Sequence, residues 1–246
     1  MSILSQLPAA PVQPPLTLHW KETGTPLPCR PLRAHSQRPY FEPAPWIATG
    51  EPGLPFVFGD HLRALCADIV QRCPELQHVD VDRLLFTVTQ ARNGHAHGLQ
   101  ARVTPLRFRN GQLLRRRNGV LWQVQRYFVD EREVMYLMTF CLPRFLDQDF
   151  DEKFVTLFHE LYHISPAFDG DLRRHEGRYA IHSHSQRKFD DYMGCLARQY
   201  LADGADPRLH AFLRLDFNQL HRRHGSVLGV IVPRPKLIPL PQRSQA

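Results

Sequence analysis

No apolar run in this chain is long enough to span a bilayer. Its first residues, MSILSQLPAAPVQPPL, lack a basic stretch followed by an apolar core, so no signal peptide is expected. Cysteine is sparse: five residues, Cys29, Cys66, Cys73, Cys141 and Cys195, are scattered with no CxxC spacing. That excludes a disulfide framework or a zinc ribbon and suits free thiols in a reducing, cytoplasmic setting. No internal repeat is visible. What is present is ordinary for a globular protein: 246 residues, 43% hydrophobic and 22% charged, enough for one domain with a core or a domain plus an arm. The net charge of +7 is carried almost wholly by arginine, which favours solubility first and an acidic partner second.

Organisation follows the prolines. Residues 1–55 contain PVQPPL, TPLPCRPL and FEPAPW, which cannot form a helix interior or a strand ladder. They read either as an extended arm that wraps the domain, because Trp20, Tyr40, Phe41 and Trp46 favour burial, or as a tail without fixed structure. Order is expected from GDHLRALCADIVQRCP, with Asp60 as N-cap, Leu62, Leu65, Cys66, Ile69, Val70 and Cys73 on one helical stripe, and Pro74 closing it. Cys66 and Cys73 lie on that stripe, so core packing accounts for them.

A strand-rich region follows. RLLFTVTQA, QARVTPLRF, QLLRRR, VLWQVQRYFV and VMYLMTFCL (134–142) are separated by Asn-Gly turns at Asn93, Asn110 and Asn118 and by the DERE loop. The expected fold class is α+β, a mostly antiparallel meander of about five strands packed against a helix and two further C-terminal helices. Asp149 and Glu152 make a capping box for a helix over 150–164. Ser185 opens a second helix, with Phe189, Tyr192, Met193, Leu196 and Tyr200 on one face. Pro207 starts a third, running through Leu209, Phe212, Leu213, Phe217 and Leu220 to HRRH and Gly225. The tail, 226–246, reads as a short strand and a proline-rich exit.

The stretch FHELYHIS holds the chemistry. Residues four apart share a helix face, so His159 and His163 can grip one cation while Glu160 stays beside them to handle a proton. The rest of that helix is apolar: Phe154, Val155, Leu157, Phe158, Leu161, Tyr162 and Ile164. Polar groups inside so apolar a helix need a partner, and a metal supplies one. A catalytic zinc takes three protein ligands and keeps one position open. Downstream, RYAIHSHSQRKFDDYM offers His182 and His184. They point the same way on an extended segment and diverge on a helix. His175, in DGDLRRHEGR, reads as a surface residue or a substrate contact. Asp190 and Asp191 read as a solvated helix start or as orienters of a ligand histidine. Arg178 or Tyr179 is a weaker candidate for oxyanion stabilisation. His95 and His97 in NGHAHG read as a solvated turn ahead of a metal site.

LFHELYHI followed about twenty residues later by HSQRKF resembles the compact zincin peptidases, most closely the phage-type metallopeptidases and more distantly the SprT-like and WLM proteases. The resemblance covers roughly residues 84–200. It implies a zincin-like metallopeptidase domain over 56–225. It further implies Zn2+ held by His159, His163 and His184, and peptide-bond hydrolysis by metal-activated water with Glu160 as general base. Spacing from His184 to Phe189 fits the phage-type form; the SprT-like and WLM patterns are one residue shorter. Neither the SprT-like zinc ribbon nor the metzincin extension HExxHxxGxxH has a counterpart here. The implied partner is a protein or peptide laid along the 134–142 strand by β-augmentation; separately, the proline-rich arm could fill the cleft and hold such an enzyme latent.

Two other readings stand beside this one. The first is a non-catalytic zinc-binding domain on the same fold, whose fourth metal position or cleft would be closed. The second is weak nucleic-acid association. Arg102, Arg107, Arg109, Arg115, Arg116, Arg117 and Arg126 concentrate on the strands and would make a phosphate-binding patch if they shared one face. Arginines on strand edges also guard against aggregation. Neither a membrane partner nor an oligomeric state is indicated.

Overall fold

The computed structural model describes residues 13–33, 38–91, 98–174 and 186–241. Two short strands, β1 (Thr17–Trp20) and β2 (Cys29–Pro31), lie within the proline-rich arm; β3 (Phe56–Val57) leads directly into α1 (Phe58–Arg72). Leu62, Leu65, Cys66 and Ile69 of α1 are fully buried, as the stripe requires. Each such apolar side chain contributes about 1.5–3 kcal/mol on burial. Asp60 is not the N-cap. It sits in the first turn of α1, where its charge faces the positive end of the helix dipole, and Val57 precedes the helix.

The strands are divided more finely than a five-stranded meander. β4 (Leu84–Gln90), β5 (Ala101–Pro105), β6 (Leu114–Arg117), β7 (Val120–Val124), β8 (Arg126–Val129), β9 (Arg132–Val134) and β10 (Tyr136–Leu142) follow in sequence. In space the sheet beside the helices has the order β4-β10-β5, with β4 parallel and β5 antiparallel to β10. β10 is therefore the central strand, and the expectation that residues 134–142 form a substrate-aligning edge does not hold. The physical reason lies in its composition. YLMTFCL is apolar almost throughout, six of its seven residues are buried, and a strand covered on both faces takes neighbours on both edges. The edges are β4 and β5, and β5 is the one packed beside the helix Phe150–Tyr162.

β6 and β7 form the hairpin expected at Asn118-Gly119, whose residues have φ of 50° and 76°. The run VLWQVQRYFV breaks between β7 and β8. Gln125 is buried there; its side chain donates to the Pro15 carbonyl at 2.9 Å and its backbone N–H to the Lys236 carbonyl at 2.9 Å. The two halves then join different sheets, β7 between β6 and β12 (Leu237–Leu240), and β8 between β1 and β9. The tail thus holds a second strand beyond β11 (Val227–Val230), which itself lies between β2 and β3. Pro239 is accommodated because β12 is an edge.

The helical part opens with α2 (Phe150–Tyr162) and α3 (Gln186–Ala202). The single helix expected after Pro207 is two, α4 (Pro207–His210) and α5 (Phe217–His224), joined by a 3-10 turn. Asp216 starts a new helix: its carboxylate accepts from the Gln219 N–H at 2.8 Å and the Gln219 side chain accepts from the Asp216 N–H at 2.9 Å. Gly225, at φ 71°, closes α5 as expected.

Of the arm aromatics, Trp20 is buried, with its ring 5.2 Å from that of Tyr127. Phe41 and Trp46 remain 68% and 69% exposed. Tyr40 lies under the Arg222 guanidinium at 3.6 Å. The arm carbonyls of Arg38, Phe41 and Ile47 accept from Asn218, Gln219 and Arg223 of α5. Arg38 also pairs with Asp149 at the start of α2, about 15 Å along the helix from His159.

Candidate metal centre

Helix α2 begins where the sequence says it should. The Glu152 carboxylate accepts from the Asp149 backbone N–H at 3.2 Å, one half of a capping box. Phe154, Leu157, Phe158 and Leu161 are buried, and the helix ends at His163, three residues before Pro166. Lys153 is also buried and donates from Nζ to the carbonyls of Leu213 and Leu215 at 2.9 and 2.8 Å. Burial brings its pKa down to about 7. The register of α2 is thereby tied to the segment joining α4 and α5.

His159 and His163 come together at the C-terminal end of α2. Their ring centroids are 4.6 Å apart and the rings nearly perpendicular. Phe189 of α3 packs against both, at 4.9 Å from His159 and, stacked, 5.8 Å from His163. One residue on, the Asp190 carboxylate lies 3.1 Å from His159 Nδ1. A carboxylate accepts, so Nδ1 carries the proton and the ring lone pair sits on Nε2. That is the tautomer and orientation of a metal-ligating histidine backed by a carboxylate. Asp190 thus meets His159, whereas Asp191 is exposed.

Glu160 is 8% exposed. Its Oε2 accepts the backbone N–H of Val103, on edge strand β5, at 2.6 Å. Burial pushes its carboxyl up to about 7, opposed by the Val103 N–H and by the charge of Arg102. A carboxyl there is poised to take and give a proton near neutrality.

Behind the histidines, the chain is held by contacts that no local motif announces. The Arg173 N–H donates to the His163 carbonyl at 2.7 Å, and its Nε donates to the Tyr162 carbonyl at 2.8 Å. Its guanidinium lies over the Tyr162 ring at 4.0 Å, so one arginine caps the open carbonyl end of α2. Tyr136, buried on β10, donates to the Asp171 carbonyl at 2.8 Å and accepts from the Gly170 N–H at 2.9 Å. At Gly170, φ is 85°, and a Cβ would meet Met135 Cε at 2.9 Å, so glycine is required where the loop crosses β10. Val103, Arg173 and Tyr136 escaped sequence reasoning because they act through backbone atoms or across long separations.

His182, His184 and His175, the oxyanion candidates Arg178 and Tyr179, and the turn histidines His95 and His97 lie outside the described residues. Among the described residues, no group of three His, Cys, Asp or Glu side chains is placed to hold a metal. The donors that are described fit one: two imidazoles on one face, one with its tautomer set by a carboxylate, and a buried acid next to them.

A family model described as Putative phage metallopeptidase matches residues 57–199. The chain belongs to that family. The phage metallopeptidase match covers β4, β5 and β10, the whole of α2 and most of α3. Membership implies a peptidase that uses a metal and acts on protein or peptide. No curated protein and no solved structure matches the chain. No described helix is long and apolar enough to cross a membrane.

Proposed function

We propose that this protein is a zinc-dependent peptidase of zincin-like fold that hydrolyses peptide bonds with Glu160 as general base. The observation that carries the proposal is the joint placement of His159 and His163, rings 4.6 Å apart, beside a Glu160 carboxyl buried against the edge of a sheet. His184 completes the ligand set at the family position, with His182 as the alternative. Neutral imidazoles in a closely packed set suit zinc among the common divalent ions. When bound, zinc supplies Lewis acidity toward water and the scissile carbonyl. The chain's own residues do the rest. Asp190 keeps His159 in the ligating tautomer, Phe189 packs against both rings, and Glu160 takes the proton from water and passes it to the leaving amine.

Substrate lies extended along β5, not β10. β5 is the sheet border next to α2, and its Val103 N–H is turned outward toward Glu160. An extended peptide docked on that border brings its carbonyl beside the base. The described arm is anchored on α5 and at the start of α2, so filling the cleft is not among its described contacts.

Metal analysis with turnover of an unstructured protein substrate tests the reading. Glu160→Gln is expected to keep zinc and lose activity by a factor of about 10² or more; His163→Ala is expected to lose both. Wild-type turnover by Glu160→Gln, or full zinc content in His163→Ala, overturns it. A protein that holds zinc and leaves every substrate intact belongs to the non-catalytic reading. Arg107 and Arg126 both pair with Glu133, at 2.7 and 2.5 Å, so these two arginines are engaged within the fold.

A further inference from the structure

An open cavity lies on a second sheet of the molecule. The β6-β7 hairpin and β12 form a three-stranded sheet distinct from the one beside α2. On it, Arg115 stands directly across from Trp122, and Arg117 across from Val120. Residues two apart on a strand share a face, so both guanidinium groups rise on the side of the indole. With Phe108, Asn118 and Leu237 they line the open cavity, of about 370 Å³. That is a volume in the range that takes a small planar ligand. Neither arginine side chain has a hydrogen bond or ion pair among the described residues. Arg116, between them, points to the other face and donates to the Gly119 carbonyl at 2.8 Å.

We infer that this cavity binds single-stranded nucleic acid, a base entering against Trp122 and Phe108 and the flanking phosphates held by Arg115 and Arg117. The chemistry favours this ligand over others of like charge. Ring-walled floors with cationic rims match a stacked base and its backbone. Guanidinium groups meet phosphate oxygens in a two-pronged fashion. An acidic peptide would satisfy the arginines and leave the ring walls without a partner. A duplex keeps its bases stacked inside and offers only phosphates. The Asn118 amide at the rim adds a donor and an acceptor for a base edge. The cavity shares no lining residue with His159, Glu160 and His163, and its occupancy does not depend on the peptidase reading.

The test uses the full chain and a labelled oligo-dT of about twenty nucleotides, followed by anisotropy and tryptophan quenching in low salt. Binding is expected, weakening as salt rises. Arg115→Ala with Arg117→Ala is expected to reduce affinity at least tenfold and to flatten the logarithmic salt slope by roughly 0.7 per arginine. Arg116→Ala is expected to stay within about twofold of wild type, although it removes the same charge from the same strand. Trp122→Ala is expected to lose about tenfold with the salt slope unchanged. Both arginines are exposed, so the paired variant folds even if the tryptophan variant does not. The proposal is overturned if the wild type ignores oligo-dT in low salt, or if Arg116→Ala costs as much as Arg117→Ala. Equal affinity for polyglutamate, or for a duplex of the same length, overturns it as well.

Discussion

Glu160 and Val103 meet at 2.6 Å, a carboxylate of the metal-motif helix against a backbone N–H of the sheet's free border. Burial at this position disfavours the charged form and raises the carboxyl to about 7, with the Val103 N–H and the charge of Arg102 opposing the shift. In the metal-free protein this has a signed consequence. The folded state binds the proton more tightly than the unfolded chain, so stability is greatest below the unfolded value, near 4.5, and is lost as pH rises through about 7. Glu160→Gln mimics the protonated acid. Metal-free Glu160→Gln is expected to be more stable than metal-free wild type at pH 8, by at most about 3 kcal/mol, and equal to it below the carboxylate range. Urea unfolding at both pH values reads the difference.

Lys153 gives a second pH signature of opposite sense. Its folded value, about 7, lies below the unfolded one, so its contribution is fully present above about 10.5 and is lost as pH falls through about 7. Lys153→Met leaves the carbonyls of Leu213 and Leu215 without their donor at every pH, a constant cost of a few kcal/mol. Between pH 7 and pH 10 the wild type should therefore gain stability relative to the variant. Parallel denaturation curves across that range would refute the assignment.

Asp190 is expected to act through His159. Asp190→Asn should weaken zinc binding about 10–100-fold in competition with a chromophoric chelator, with the melting profile of the metal-free protein little changed. Asp191→Asn, one residue on and exposed, should leave affinity as it is. Equal losses in both variants would mean that net charge, and not the 3.1 Å contact with Nδ1, sets the affinity.

Tyr136→Phe removes one hydroxyl that serves two backbone groups, the Asp171 carbonyl and the Gly170 N–H. The Gly170 N–H is left without its acceptor, while the Asp171 carbonyl keeps the Ser165 N–H at 3.2 Å, so the cost is about 1–3 kcal/mol. The thermal midpoint should fall, and amide exchange across 165–172 should quicken before that of β10. Uniform acceleration over the whole sheet would show a global effect in place of a local one.

The parts of this molecule legible in the sequence are those written in local terms. Asp149 and Glu152 announce α2, the Leu62–Ile69 stripe announces α1, and Asn118-Gly119 announces a hairpin; all three appear. The pairing of strands was not legible. Apolar content in VMYLMTFCL says that both faces are covered but not that β4 and β5 lie on either side, because those partners come from distant chain positions. The helix expected across 207–224 broke because Asp216 and Gln219 form a capping pair inside it, a signal present in the sequence but overridden there by the apolar period. At the candidate site, spacing singled out His159, Glu160 and His163, while Asp190 was left between a solvated helix start and a contact to a histidine. Val103 was not legible, since what matters there is its amide and any residue but proline supplies one.

Both ends of the chain close the borders of strands drawn from its middle: β1 covers β8, and β12 covers β7. Both lie outside residues 57–199. A fragment trimmed to that segment would keep α2 and its histidines yet present two raw strand edges to solvent, an invitation to self-association. The proline-rich ends thus act as selvedges for the sheets, and a minimal soluble version of this protein must include them.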